Sequence, residues 1–227
     1  MKITAKILIL FLFLTCYAST VQAAEEFHLW VESGFSYKIN KQWSFALEQN
    51  LKFNDNVTNV DTINHQISLR YRITDFLRLS GGYRFIVEPL SNVTTAYINY
   101  WHRFYGDARF SFSAKRVSFI YRLRYQEQFG DERQLTGREF KMKHTIRNKL
   151  ELEFDLPKKF TAFTYGELFA RIADNDGVMH KWRAALGVEY SYKKHDFSLY
   201  YMREQMLNGT VIPHANVLGV GYSYAFR

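Results

Sequence analysis

Two pairs of arginines separated by a single residue stand in this 227-residue chain, Arg70 with Arg72 and Arg122 with Arg124. Guanidinium groups bind carboxylates and phosphates through paired hydrogen bonds, and alternate residues of a β-strand share one face. The spacing therefore predicts either a track for anionic solutes or, with glutamates on the same face, a set of internal ion pairs. The candidate residues of this polar face are Arg70, Arg72, Arg84, Arg122, Arg124, Arg147, Glu48, Glu151, Glu167 and Glu189.

Catalytic and metal-binding chemistry has weaker support. A hydrolase needs a Ser/His pair or an Asp/His cluster, and no nucleophile motif surrounds His65, His144 or His180, which fall on the predicted apolar face. The Asp174-Asn175-Asp176-Gly177 segment lacks the glutamate that a calcium loop carries at its twelfth position, where Ala185 stands. We therefore expect no enzyme, metal or cofactor, with a lipase- or protease-type barrel as an alternative.

The elements that carry the arginines are predicted β-strands. Apolar or aromatic residues alternate with polar ones in each stretch, as strand side chains do. Most stretches reach the roughly 9 to 11 residues that a tilted strand needs to cross hydrocarbon, whereas soluble strands are nearer 5 or 6 residues. The eleven stretches are Glu26 to Ile39, Trp43 to Phe53, Thr62 to Ile73, Leu77 to Glu88, Thr94 to Phe112, Val117 to Phe129, Phe140 to Phe154, Phe160 to Ile172, Met179 to Tyr192, Phe197 to Leu207 and His214 to Phe226.

The links between these stretches alternate in length. Short links such as Thr74 to Phe76 are followed by longer ones such as Pro89 to Val93 and Gly130 to Glu139, as in barrels with short periplasmic turns and longer external loops. Single-chain bacterial barrels normally have an even number of strands. We therefore expect 10 to 12 strands, with the nineteen residues from Thr94 to Phe112 as the place where a strand would have to be divided.

The first 23 residues have the composition of a secretory signal peptide. Lys2 and Lys6 precede the apolar run Ile7 to Leu14, and Val21-Gln22-Ala23 is a small-residue cleavage site. Residues 24–227 are then expected to form one outer-membrane β-barrel domain. The formal net charge is +8, but basic residues interleave with glutamates along strands, so no nucleic-acid partner is expected.

Alternation alone leaves two all-β folds open. An antiparallel up-and-down transmembrane β-barrel turns its apolar face outward to membrane lipid. A soluble, lipocalin-like periplasmic barrel turns its apolar face inward around an apolar ligand. Strand length, link asymmetry and aromatic residues near strand ends favour the transmembrane barrel. Those aromatic residues are Trp30, Trp43, Tyr100, Trp101, Tyr125, Trp182, Tyr190 and Tyr192.

The last stretch resembles an assembly signal. Leu218, Val220, Tyr222, Tyr224 and Phe226 alternate up to the end of the chain, much like the C-terminal strand by which bacterial outer-membrane proteins are recognised. Leu218 to Phe226 is therefore the predicted contact with the barrel assembly machinery. Arg227 departs from that signal, which usually ends on the aromatic residue.

Five segments carry a resemblance to a known family. With Trp43 to Phe53, Gly82 to Phe85, Arg122 to Gln126, Arg147 to Leu150 and Gly166 to Leu168 in this order, residues 24–227 resemble the DUF2490 family over nearly their whole length. The family consists of uncharacterised bacterial proteins regarded as outer-membrane barrels. The resemblance implies the outer membrane of a Gram-negative, Bacteroidetes-type bacterium, and it brings no catalytic residue or substrate with it.

Two functions stay open for the polar face. A barrel of 8 strands is filled by its side chains, and 16 or more strands leave a channel, so 10 to 12 strands admit both outcomes. Arg and Glu side chains could pair and plug the lumen of an envelope scaffold. Alternatively, surplus guanidinium groups could line a narrow anion-preferring pore for a small anionic solute. Arg122 and Arg124 are the residues most expected to contact that solute.

Overall fold

The computed structural model describes residues 25–92, 95–134, 137–172, 179–207 and 214–226. Three features discussed above fall outside these residues. They are the predicted signal peptide at residues 1–23, the Asp174–Gly177 segment, and Arg227, which follows the terminal aromatic residue of the predicted assembly signal. Within the described residues, no helix is long and apolar enough to span a membrane.

Eleven β-strands make up almost all of the described chain, and one 3-10 turn at Pro157–Lys159 precedes the eighth strand. Each strand contains one of the alternating stretches, apart from at most one predicted residue at an end. The match follows from strand geometry, because successive side chains of a strand point to opposite faces and so separate the apolar from the polar residues. The strands are β1 (Glu25–Lys38), β2 (Trp43–Asn54), β3 (Asn59–Arg72), β4 (Leu77–Asn92), β5 (Thr95–Ala114), β6 (Val117–Gln134), β7 (Gly137–Asp155), β8 (Phe160–Arg171), β9 (Met179–Tyr192), β10 (His195–Met206) and β11 (His214–Phe226).

The strands form a closed barrel in chain order. Neighbours along the chain are antiparallel, but β1 and β11 close the barrel in parallel, from Glu25 opposite His214 to Tyr37 opposite Phe226. The all-β barrel prediction is thus confirmed, and eleven described strands lie within the predicted range. The expectation of an even number of strands is wrong for the described residues, and the odd number leaves the first and last strands running in the same direction.

The long fifth stretch is one strand. Thr95–Ala114 pairs without interruption with β4, from Asn92 opposite Thr95 to Leu77 opposite Phe110. An even number of strands cannot therefore be recovered by dividing this stretch. Its length has a physical reason, because its first residues pair only with β4 and project beyond the ladder that β5 shares with β6, which begins at Tyr100.

The two ends of the barrel differ. The five links 39–42, 73–76, 115–116, 156–159 and 193–194 lie at one end, which we call the turn end. At the opposite loop end, two links predicted to be long are largely strand, since β4 continues to Asn92 and β6 to Gln134. The backbone ladder continues there although the sequence of these segments does not alternate, which is why they were not predicted as strands.

Apolar side chains point outward and polar side chains point inward. On β6, Leu123 and Tyr125 are 41% and 45% exposed. The alternate residues Arg124 and Gln126 are only 7% and 6% exposed. This is the reverse of a soluble barrel. Trp30 and Trp101 are the exceptions among the aromatic residues predicted to lie outside, since both are buried inside the barrel, on the same strand faces as Glu32 and Arg103.

A β-bulge changes the face of one histidine. The register between β8 and β9 shifts at Phe169/Ala170, so that Phe169 pairs with Lys181 and Ala170 with Met179. His180 lies at this irregularity and is buried, lining the interior. Its predicted position on the apolar outer face is therefore wrong, because the extra residue in the bulge interrupts the alternation.

Candidate functional site: the barrel lumen

A cavity of about 670 Å³ lies in the interior of the barrel. Its lining includes Arg78 and Glu153 near the turn end, and Lys143 and His180 near the loop end. Ten arginines and four lysines from the described strands line it, against seven aspartates and glutamates. Nine of the ten predicted site residues border this cavity. The tenth, Arg72, is the last residue of β3 and does not.

Glu167 on β8 joins two of the predicted arginines. Arg147 donates to both of its carboxylate oxygens, with Nη2 at 2.8 Å from Oε1 and 2.9 Å from Oε2, and Arg122 donates to Oε1 at 2.7 Å. Both Glu167 and Arg147 are buried. Cross-strand register explains the contact, because Arg122, Lys149 and Glu167 lie opposite one another on β6, β7 and β8.

Arg124 is held by a carboxylate that the sequence analysis missed. It forms a two-point ion pair with Asp107 on β5, its register partner, and its guanidinium lies 4.0 Å from the ring centroid of Tyr105. Asp107 also accepts from Ser80 at 3.2 Å. The alternating pattern could have identified Asp107, because it lies an even number of residues from Arg103 and Arg109 on β5 and therefore shares their face.

Most ion pairs follow the wall of the barrel between neighbouring strands. Arg70 on β3 donates to Glu48 on β2 at 2.8 Å, and Arg183 on β9 pairs with Glu204 on β10. Lys149 pairs with Glu151 two residues along the same strand. Pairs of this kind neutralise charge at the wall while leaving the cavity in place.

Arg84 and Arg103 bind side-chain amides instead of carboxylates. Arg84 donates its Nε to the amide oxygen of Gln66 at 2.8 Å, and Arg103 donates to the amide oxygen of Gln128, with Nε at 3.0 Å. Among the described residues, neither guanidinium lies at ion-pair distance from a carboxylate. The positive charge available to a solute therefore lies at Arg84 and Arg103 more than at Arg122 and Arg124, which carboxylates already neutralise.

A chain of alternating cations and aromatic rings crosses one side of the lumen. Lys52 lies 3.6 Å from the ring of Trp30, Arg183 lies 5.0 Å from the same ring and 4.8 Å from Phe169, and Arg147 lies 4.5 Å from Phe169. These residues come from β2, β1, β9, β8 and β7. Alternation gives no sign of this stack, because its central contact, between Arg183 and Trp30, joins β9 and β1, which are not neighbours in the barrel.

Charge is unevenly distributed around the turn end. Arg78 and Arg109 are register partners on β4 and β5, whereas Glu189, Asp196 and Glu32 line a smaller cavity of about 270 Å³ beside β1 and β10. One wall of the lumen is therefore basic and the opposite wall acidic. An anion entering from this end would follow the wall formed by β3 to β6.

An apolar cluster fills part of the interior beside the seam between β1 and β11. Trp30, Tyr200, Met202 and Val217 are buried there, with Ala185 and Ala215. The polar lining is therefore concentrated on β2 to β9. Among the described residues, no group of three or more His, Cys, Asp and Glu side chains is placed to hold a metal ion.

Comparison with known proteins assigns a family but no activity. A family model described as "Protein of unknown function (DUF2490)" matches residues 27–211. No curated protein matches the chain.

Proposed function

Since the chain belongs to the DUF2490 family, which is described only as a protein of unknown function, we propose a function from the geometry of the barrel. The protein is an outer-membrane β-barrel whose lumen forms a narrow pore that prefers anions. One observation carries this proposal, namely that a single cavity with twice as many cations as carboxylates is lined by residues near both ends of the barrel.

The outward face supports the membrane location. Apolar side chains alternate along the outside of every strand, and examples from opposite sides such as Ile67, Leu150 and Leu199 are 45 to 49% exposed. In water such a surface would be costly, at about 25 cal/mol per Å² of apolar area, whereas hydrocarbon accepts it. A lipocalin-like barrel needs the opposite arrangement, with the apolar face inside.

The apolar outer face also supports our proposals for the assembly and the location of the protein. Leu218, Val220, Tyr222 and Phe226 are exposed on the outer face of β11, where the barrel assembly machinery would meet the last strand. We place the protein in the outer membrane of a Gram-negative, Bacteroidetes-type bacterium, with its turn end in the periplasm.

A plugged scaffold is the second candidate, and the cation–aromatic stack favours it. The chain from Lys52 through Trp30, Arg183 and Phe169 to Arg147 joins side chains across the interior. If this stack holds at all times, it obstructs part of the lumen. The two candidates therefore differ in conductance and share the same fold.

Single-channel recording separates them. We expect the refolded chain without residues 1–23, inserted in a planar bilayer under a potassium chloride gradient, to give steps whose reversal potential favours chloride. Arg78→Gln should reduce this preference, because Arg78 lines the basic wall near the turn end. Arg116→Gln, at an exposed turn, is the matched control and should leave the preference unchanged.

Silence would contradict the pore. A barrel that migrates anomalously on gels before heating, and is therefore folded, but that conducts no ions would favour the plugged scaffold. Cation-selective steps would also contradict the proposal, because they would show that the lining carboxylates and not the arginines control the ion flow.

A further inference from the structure

We propose that Arg84, Arg103 and Lys143 form a binding site for a phosphate group inside the lumen. The inference names the ligand of the proposed anion-preferring lumen and rests on that proposal. Among the described residues, Arg84 and Arg103 have no carboxylate at ion-pair distance, so a bound anion would neutralise their charge.

Strand register brings the three cations into one row. Gln66, Arg84, Arg103, Gln128 and Lys143 are successive cross-strand partners on β3 to β7. Directly opposite side chains have Cβ atoms about 4.5–5.5 Å apart, and like charges in that position destabilise a sheet. A fold that places Arg84 directly opposite Arg103 therefore gains from an anion that bridges them.

The hydrogen bonds leave donors for that anion. A guanidinium has five N–H groups; Arg84 uses its Nε on Gln66, and Arg103 uses Nε and Nη2 on Gln128. Both side chains line the cavity. The glutamine oxygens hold the two guanidinium groups in place, and the remaining Nη groups are available to the lumen.

Neighbouring carboxylates are already engaged. Glu48, one position farther along the same row, accepts from Arg70 at 2.8 Å and from Gln66 at 2.5 Å. Asp107 is held by Arg124. Lys143 lies 5.0 Å from the centroid of the Trp101 ring, and among the described residues it has no carboxylate at ion-pair distance.

The charge of the row selects the class of ligand. The three cations of this row have no carboxylate at ion-pair distance among the described residues, so a dianion neutralises more of their charge than a monoanion such as chloride or acetate. Guanidinium groups also match the oxygen spacing of phosphate. Inorganic phosphate and a phosphate monoester share this chemistry, and both are tested below.

Calorimetric titration of the refolded barrel in detergent micelles tests the site without requiring an open pore. At constant ionic strength, we expect inorganic phosphate to bind at one site per barrel. Arg84→Gln and Arg103→Gln should each weaken binding at least about tenfold, the loss expected when a hydrogen bond to a charged group is removed. Arg116→Gln should bind phosphate as tightly as the parent protein does. Titration with glycerol phosphate then shows whether the site accepts free phosphate alone or phosphate monoesters as well.

Thermal unfolding provides a second readout that separates binding from folding. Without phosphate, the Arg84→Gln/Arg103→Gln variant should unfold at the same temperature as the parent or higher, because a repulsion has been removed, and added phosphate should raise only the parent's midpoint. No phosphate binding by a folded parent, or equal binding by the double variant, would overturn the site. Phosphate binding by a barrel that does not conduct would keep the site and overturn the pore.

Discussion

At the scale of single residues, Glu167 is the carboxylate on which the buried charges of the lumen most depend. It accepts three hydrogen bonds from Arg147 and one from Arg122, and it is 3% exposed. A buried ion pair adds little stability compared with apolar residues, but removing one member leaves a charge that neither water nor protein neutralises. Here the loss of the Glu167 carboxylate would leave the guanidinium groups of Arg122 and Arg147 without their ion-pair partner.

We therefore expect Glu167→Gln to lower the free energy of unfolding by about 3 kcal/mol. The substitution keeps the size of the side chain and removes only its charge. Urea unfolding in detergent micelles, followed by tryptophan fluorescence, measures the change. Glu139→Gln is the control, because Glu139 is exposed and pairs with Lys141 at the surface, where such pairs contribute about 0–1 kcal/mol. Equal effects of the two substitutions would contradict the buried network.

At the scale of strands, the fit between β9, β10 and β11 depends on a tyrosine between two glycines. Gly187, Tyr200 and Gly219 are successive register partners. A Cβ atom added at Gly219 would lie 2.0 Å from the Tyr200 ring, and one at Gly187 would lie 2.6 Å from Tyr200 Cβ. The ring therefore lies flat against the backbone of β11, and its hydroxyl reaches Glu32 on β1 at 3.2 Å.

Gly219→Ala should destabilise the barrel by about 1–3 kcal/mol, the usual cost of forcing extra volume into a packed interior. Gly106→Ala should do the reverse and stabilise it slightly, since a Cβ there meets no atom within 4 Å and alanine reduces the freedom of the unfolded chain. Midpoints of heat unfolding by circular dichroism compare the two variants. A stable Gly219→Ala protein would show that Tyr200 does not occupy this position.

The strands themselves were predictable from the sequence, because one physical rule sets both the pattern and the structure. A strand with an apolar outer face and a polar lumen face has to alternate, so Val117 to Phe129 revealed its two faces at once. The rule ceases to apply where the residues do not alternate, and the ends of β4 and β6 beyond Glu88 and Phe129 were accordingly missed. It also failed at His180, where one extra residue in a bulge reversed the faces.

The lumen was predictable only as a set of residues. Parity placed Arg84, Arg122, Arg147 and Glu167 on the inner face, and they line the cavity. Which cation meets which carboxylate depends on register, and register depends on hydrogen bonds between strands that the alternating pattern leaves undefined. For that reason the sequence favoured Arg122 and Arg124 as the track, whereas the geometry leaves Arg84 and Arg103 without carboxylates.

At the scale of the whole molecule, the parallel seam between β1 and β11 distinguishes this barrel from even-numbered ones. Glu25 lies at the loop end and Phe226 at the turn end, so the first and last described residues are at opposite ends. Parallel ladders are slightly less stable per residue than antiparallel ones. Small residues along the seam, including Gly34, Gly221 and Ser223, bring the two backbones and their neighbours close together.

A disulfide across the seam tests this closure. A Cβ atom on Gly34 would lie 3.2 Å from Ser223 Cβ, near the 3.5–4.5 Å that a disulfide requires, so Gly34→Cys with Ser223→Cys should cross-link on oxidation. The only natural cysteine, Cys16, belongs to the predicted signal peptide. In the control, Gly34→Cys with Tyr222→Cys, the second thiol points outward and should stay reduced. Non-reducing gels measure both, and equal cross-linking would contradict the parallel register.

The seam also has a consequence for the order of events during biogenesis. Ten of the ladders join strands that follow each other in the chain, so each can form between neighbouring segments, whereas β1 must wait for β11, the last of the described strands. Contacts between such distant segments form slowly. Until they form, β1 and β11 each present an unpaired backbone edge on which another chain can add a strand. The lifetime of this open intermediate, and not the stability of the closed barrel, then governs how much newly made protein is lost to aggregation.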